Sequence, residues 1–287
     1  MLSALLYYLV ILPVSVLPFP VLHALSGILR FFLYDVFRYR RKVVMKNIRA
    51  SFPDRSEVEL HLVESRFYSQ LCDTILEGFK MFSISRSQLQ RRIKTINPEV
   101  IDKFYAAGKN VIIAVGHFNS WELLLTGFDS FIRHRAVVIY QPLTNSFFDK
   151  KIREARGRMG TKMLAAKNVK NFFSTQAGEL TATVFAIDQS PSSPERCYWM
   201  NFLNQETPVL FGTEKYAKEF DLPVIYARLK KIRRGYYTLE FEEVTSEPQS
   251  TAYGTITEKA TRMLEKDVLT APESWLWSHR RWKHRKS

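Results

Sequence analysis

The first 29 residues carry no Lys, Arg, Asp or Glu, and residues 2–22 are mostly Leu, Ile, Val, Tyr and Phe. That is about the length a helix needs to cross a hydrocarbon core of roughly 30 Å, so residues 1–29 read as a membrane anchor. Pro13, Pro18 and Pro20 interrupt a single straight helix, which leaves two forms open: a spanning helix, or a kinked monotopic segment lying in the interface. A secretory signal peptide fits less well, because no basic region precedes the apolar run and no small-x-small cleavage site is evident. Further on, Ser56-x-x-Glu59 has the form of a capping box. Leu60, Val63, Phe67, Leu71 and Ile75 then recur at helical spacing, predicting a long core-packed helix to about Phe82.

After that helix the pattern shifts to short apolar runs parted by helical stretches. Residues 111–115, 136–140, 183–187, 224–229 and 236–241 read as strands, with helices near 120–131, 145–159 and 208–220. Thr207-Pro208 supplies a helix start, threonine as cap and proline in the first turn. The last two strands, joined across Arg233-Arg234-Gly235, form an antiparallel hairpin at one end of the sheet. The expected fold is therefore α/β, a central mixed and mostly parallel sheet flanked by helices. With 287 residues, the chain divides into the anchor and one domain from residue 30 onward. Ligands in such sheets collect at the carboxyl ends of strands, and His117, Gln141 and Asp188 each follow one.

Composition narrows the partners. Hydrophobic residues make up 46% and charged residues 24%, which is globular, while the formal net charge of +14 calls for an anionic partner. Nucleic acid, an acidic lipid surface and an acidic carrier protein all satisfy that charge, but no nucleic-acid motif is present. Cys72 and Cys197 stand far apart without C-x-x-C spacing, and six scattered histidines suggest no metal site. Arg30, Arg38, Arg40, Arg41, Lys42, Lys46 and Arg49 follow the apolar segment directly. Positive charge in that position stays cytoplasmic and is drawn to anionic lipid. Near the other end, Trp275, Trp277 and Trp282 are interspersed with basic residues, a mixture suited to a membrane interface.

The candidate chemistry lies in Gly116-His117-Phe118-Asn119-Ser120-Trp121-Glu122. Residues five apart on one helix are rotated by roughly 140°, so His117 belongs to the loop before a helix, with Asn119 as N-cap and Glu122 in the first turn. Glu122 would then orient the imidazole, leaving its other nitrogen free to act as general base on a hydroxyl. The competing reading makes Asn119 and Glu122 a capping box with no catalytic part.

The arrangement resembles the H-x4-D/E motif of the glycerolipid and lysophospholipid acyltransferase superfamily, and GHFNSWE is most similar to the form in bacterial lipid A biosynthesis acyltransferases. Further blocks agree in order: Tyr39-Arg40-Arg41 through Asn47-Ile48 with Ser51-Phe52-Pro53, then Gln141-Pro142-Leu143-Thr144-Asn145 through Arg153, Arg156 and Gly160. Ala186-Ile187-Asp188-Gln189 and the C-terminal stretch from Trp275 to Lys283 complete them. The resemblance implies a lysophospholipid acyltransferase-like fold at the inner membrane, with the catalytic domain on the cytoplasmic side. It also implies transfer of a fatty acyl chain from an acyl carrier protein thioester, or acyl coenzyme A, to a hydroxyl of a lipid A precursor, without a cofactor. By the same resemblance His117 and Glu122 are catalytic, and Arg156 stabilises an oxyanion or an acceptor phosphate unless it is merely a solvated helix charge. Asn119, Trp121, Gln141, Asp188 and Gln189 bind substrate. Ser190-Pro191-Ser192-Ser193-Pro194 and Phe202-Leu203-Asn204 depart from the family's glycine-containing turn, although asparagine tolerates a left-handed backbone. The departure leaves acceptor identity open: an aminolipid, phosphoglycerol or glycolipid suits the same fold. A non-catalytic polyanion-binding membrane protein is the remoter alternative.

Overall fold

A computed structural model describes residues 2–176 and 178–286. Its centre is a seven-stranded sheet built from β1 (Ile93–Thr95), β2 (Val111–Val115), β3 (Arg135–Tyr140), β4 (Lys162–Ala165), β5 (Thr181–Ala186), β8 (Val224–Arg233) and β9 (Tyr236–Thr245). A separate ribbon pairs β6 (Tyr198–Phe202) with β7 (Gln205–Val209). The large sheet runs in the order β1-β9-β8-β2-β5-β3-β4, every pairing parallel except β8 with β9. Both faces are covered, which is why β2 is an unbroken apolar run rather than an alternating one. Ile112 and Ala114 point into one core with Phe67, Tyr226 and Leu264, while Val111 and Ile113 point into the other with Ile101, Leu123 and Ile225.

The capping box at Ser56 forms as the spacing predicts, starting a helix over Glu57–Phe79 that tightens into a single 3-10 turn, Lys80–Phe82. The hairpin at Arg234-Gly235 is also present, with Gly235 at φ 73, but the short strand β1 lies outside it, so the hairpin is not the sheet's edge. Thr207-Pro208 does not start a helix. These residues lie in β7, Pro208 opposite Trp199, and the helix begins at Gly212 (Gly212–Phe220). In a two-stranded ribbon both strands are edges, so the missing proline N–H leaves no inner partner unsatisfied. Leu203 and Asn204 join the ribbon, both at positive φ (51 and 60), as a two-residue hairpin turn of the primed type requires.

The apolar N-terminus is two helical stretches. Leu2–Val16, with a π-helical turn at Tyr7–Ile11, breaks at Leu17 and Pro18, and Phe19–Arg30 then runs on through Phe31–Val36. The second stretch is long and apolar enough to cross a membrane by length and composition, with 17% of it buried. Both stretches also rest on the domain. Lys80 Nζ donates to Ser15 O at 2.8 Å, His23 Nε2 lies 2.9 Å from Glu77, and Asn145 Nδ2 donates to Ser3 Oγ at 2.8 Å.

Candidate active site

Sheet register brings the reactive pair together. Strands β2 and β5 are parallel neighbours with Val115 opposite Ala186, and Ile187 N–H still bonds Val115 O at 2.9 Å. Two residues past each of those positions stand His117 and Asp188, so side chains 71 apart in sequence emerge at the same strand ends. The His117 ring donates from Nδ1 to Asp188 Oδ1 at 2.7 Å, and its backbone N–H donates to Oδ2 at 2.7 Å. The indole N–H of Trp275 donates to Oδ2 as well, at 2.8 Å.

Glu122 does not orient the imidazole, contrary to what its spacing suggests. The helix starts at Trp121 (Trp121–Thr126), its N-cap is Ser120 without a side-chain cap bond, and Glu122 is bonded to Arg156 Nη2. Asn119 is not the cap, and it does not line the cleft that His117 enters. It is 1% exposed at φ 55, its Nδ2 donates to Leu229 O at 2.7 Å, and its backbone N–H to Ser274 O at 2.9 Å. Those bonds, with the isolated bridge between Phe118 and Trp275, fix the loop and turn the first helical residue one position later. The carboxylate therefore faces Arg156 on the helix Ser146–Gly157.

Electrostatics follow from this pairing. Burial alone would push the Asp188 carboxyl up, yet the His117 charge and the three hydrogen bonds hold it down at about 2. For His117 burial works downward, and the Asp188 charge and hydrogen bond, with a smaller contribution from Glu122, overcome it and raise the imidazole above its usual value. An ionised carboxylate can only accept, so Nδ1 carries the proton and Nε2 presents a lone pair. The Gln189 amide donates to that Nε2 at 3.3 Å.

Nε2 opens on a cleft of about 570 Å³, within the usual range for small-molecule sites. His117, Trp121, Glu122, Gln141, Arg156 and Gln189 line one part, and Val138, Ile139, Val184, Phe185, Leu210 and Tyr216 make an apolar wall. The Trp121 ring meets His117 edge-on, with centroids 5.3 Å apart. Arg156 is not a solvated helix charge: it is buried, and its Nε finds no acceptor among the described residues.

The tryptophans assigned to the membrane interface are internal. Trp275 is 2% and Trp277 0% exposed, and half-buried Trp282 donates to Thr207 Oγ1 at 2.7 Å. Trp275 packs on Trp277, Trp282 and Phe202 with centroids 4.8, 5.9 and 5.7 Å apart. Indole rings that bury this much area stabilise a core whether or not a bilayer is near. Two of the N-terminal basic trio are also engaged with protein groups: Arg41 is paired with Glu64 at 3.0 Å, and exposed Arg40 donates to Ser278 O at 2.9 Å, while Lys42 is exposed. Sequence reasoning left Trp275 out of the site and gave Asp188 no bond to the base; only the adjacency of β2 and β5 joins them.

A family model described as bacterial lipid A biosynthesis acyltransferase matches residues 1–284. The chain belongs to that family. As a lipid A acyltransferase it is 25% identical over 273 residues to the lipid A biosynthesis lauroyltransferase of Escherichia coli K12, covering 94% of this chain and 87% of that protein. It is 24% identical over 275 residues to a lipid A biosynthesis acyltransferase of Haemophilus influenzae (93% and 83% covered). To the E. coli palmitoleoyltransferase it is 22% identical over 278 residues (94% and 87%). Family membership supports an acyl-transfer role in lipid A synthesis and a lipid A precursor as acceptor.

Proposed function

We propose that the protein transfers a fatty acyl chain from an acyl carrier protein thioester to a hydroxyl of a lipid A precursor, with His117 as general base and Asp188 as the carboxylate that orients it. The observation that carries this reading is an imidazole locked at Nδ1 by an ionised aspartate, its Nε2 facing an apolar-walled cleft. The acceptor hydroxyl displaces the Gln189 amide from Nε2 and gives its proton to that nitrogen while its oxygen attacks the thioester carbonyl. The imidazolium, held by Asp188, then protonates the departing thiolate as the C–S bond breaks. Arg156, fixed by Glu122, stabilises the oxyanion between those steps. No acyl-enzyme intermediate is required, because the acceptor itself is the nucleophile.

Membrane attachment belongs to the same proposal. Leu9, Phe31, Phe32 and Phe37 are exposed, and Arg38, Arg40, Lys42 and Lys46, also exposed, follow the three phenylalanines closely in sequence. Apolar side chains beside cations suit the cytoplasmic leaflet of the inner membrane. The excess positive charge also suits an acidic carrier protein. Purified protein given acyl carrier protein thioester, or acyl coenzyme A, and an under-acylated lipid A precursor should yield an acceptor one acyl chain heavier by mass spectrometry, and His117→Ala should not. Transfer by His117→Ala at the wild-type rate would refute the mechanism.

A further inference from the structure

Buried positions in the apolar N-terminus keep a helical period. Tyr7, Ile11, Ser15, Phe19, Leu22 and Ser26 are buried, each three or four residues after the last, while Leu9, Val16, Val21, Ile28 and Phe32 are exposed. The polarity is reversed from that of a helix in water. Ser15 and Ser26 face the protein, and the outward side chains are aliphatic or aromatic. Such a stripe fits an element with protein along one side and hydrocarbon along the other.

The inner side is bonded to charged groups of the domain. Ser26 Oγ donates to Asp73, Arg234 Nη2 donates to Ser26 Oγ at 2.6 Å and to His23 O at 2.9 Å, and Arg234 Nε donates to Asp73 Oδ2 at 2.8 Å. With His23 on Glu77, these bonds hold the longer stretch, Phe19–Val36, to the helix Glu57–Phe79 and to the β8–β9 turn. Further along, Arg30 Nη2 donates to Ser65 Oγ at 3.0 Å and Tyr34 Oη to Glu64 at 3.2 Å. Contacts with the domain thus run from Ser3 to Tyr34. A spanning course for Phe19–Val36 would carry Asp73, Glu77, Arg234 and the end of a hairpin into hydrocarbon, where ionised side chains are costly and irregular backbone finds no water. Leu2–Val16 rises only roughly 22 Å, less than the roughly 30 Å of a bilayer core.

We propose that residues 2–36 lie flat in one leaflet of an anionic bilayer, as a monotopic platform stapled to the domain, and do not span it. That course presupposes the membrane attachment proposed above. The outward side chains enter the acyl region, and exposed Arg38, Arg40, Lys42 and Lys46, next along the chain, meet the anionic headgroups. The platform also reaches the cleft. Tyr7 meets Phe147 edge-on with centroids 5.7 Å apart, and Lys151 Nζ lies 5.3 Å from the Tyr7 ring centre. Phe147 and Lys151 belong to the helix Ser146–Gly157, whose Ile152 and Arg156 line the cleft. One helix, ~10–12 Å across, therefore separates the leaflet from the cleft of the base. A lipid acceptor enters sideways, with its acyl chains still in the membrane.

The test measures depth and sidedness. Ile28, 56% exposed and midway along Phe19–Val36, is replaced by cysteine carrying a bimane label, with Cys197→Ser removing the partly exposed native thiol; Cys72 is buried. The full chain is bound to vesicles of phosphatidylcholine and phosphatidylglycerol bearing doxyl groups either near the headgroup or near the chain end. The shallow doxyl should quench the label more strongly at Ile28, as it should for Leu9→Cys. Stronger quenching of Ile28 by the deep doxyl, as the midpoint of a span requires, would overturn the flat course. So would floating vesicles in which neither doxyl quenches, since the outward stripe would then face protein. In cell membrane vesicles, protease should remove epitope tags placed at the two termini from the same face; removal from opposite faces would mean a crossing. His23→Leu with Ser26→Leu makes the segment more apolar yet deletes its staples, so this variant should melt at a lower temperature than wild type. An equal or higher melting temperature would refute the docking. None of these readouts needs acyl transfer, so an inactive enzyme would end the proposed chemistry and leave the course of the segment decided. Protein that does not float at all would end the membrane attachment itself, whereas floating protein with a deep Ile28 ends only the flat course.

Discussion

The pairing of His117 with Asp188 rather than Glu122 is tested by comparing Asp188→Asn with Glu122→Gln. In D188N the new side chain would offer one oxygen to three donors now within 2.7 to 2.8 Å, and its amide would face Nδ1. A donor there favours the tautomer with the proton on Nε2, which cannot accept another; the same exchange in a serine protease triad lowers kcat about 10⁴-fold, and a comparable loss is expected here. Stability should fall by only about 1–3 kcal/mol, the cost of one unmatched buried donor, so a thermal melt separates misfolding from lost chemistry. The pH profile gives the sign. Burial pulls His117 down and Asp188 pulls it up, so in D188N the residual activity should persist to lower pH than in wild type. Glu122→Gln disturbs only the hold on Arg156 and should cost about 10²–10³-fold, the scale of one oxyanion donor. Its loss should not add to that of Arg156→Met, since the two act as a unit. Rates in purified protein with a defined thioester would decide the matter. A D188N enzyme near wild-type activity beside an inert E122Q would refute the assignment.

Gly116→Ala would bring a methyl to 2.5 Å from Leu264 Cδ1; overpacking of this kind costs about 1–3 kcal/mol. G116A should melt lower, and combined with Leu264→Ala the losses should sum to less than additive. Trp277→Ala should lose about 3–5 kcal/mol in chemical denaturation, as expected of a buried aromatic, with binding to anionic vesicles unchanged. Leu9→Asp with Phe37→Asp, at positions each 70% exposed, should do the reverse, abolishing vesicle flotation at unchanged melting temperature. Weakened flotation by W277A alone would restore the tryptophans to the interface.

Local physics is legible along the chain because it depends on neighbours in sequence. The capping box at Ser56, the apolar period that follows it, the buried run of β2 and the turn at Arg234-Gly235 were all readable for that reason. The family likeness rests on the same ordered blocks. Pairing across the sheet is decided elsewhere, by which strands lie side by side. That is why Pro208 lies in a ribbon instead of opening a helix, and why tryptophans spaced like a membrane belt turn inward to support a carboxylate. It is also why the base meets an aspartate 71 residues away in place of the glutamate five residues on: a helix that starts one residue late sends Glu122 to Arg156, and adjacent strands of matched register deliver Asp188 to His117. Chain order offered the reactive groups, and the three-dimensional neighbourhood chose their partners, since hydrogen bonds and charges act over ångströms in space whatever the separation in sequence.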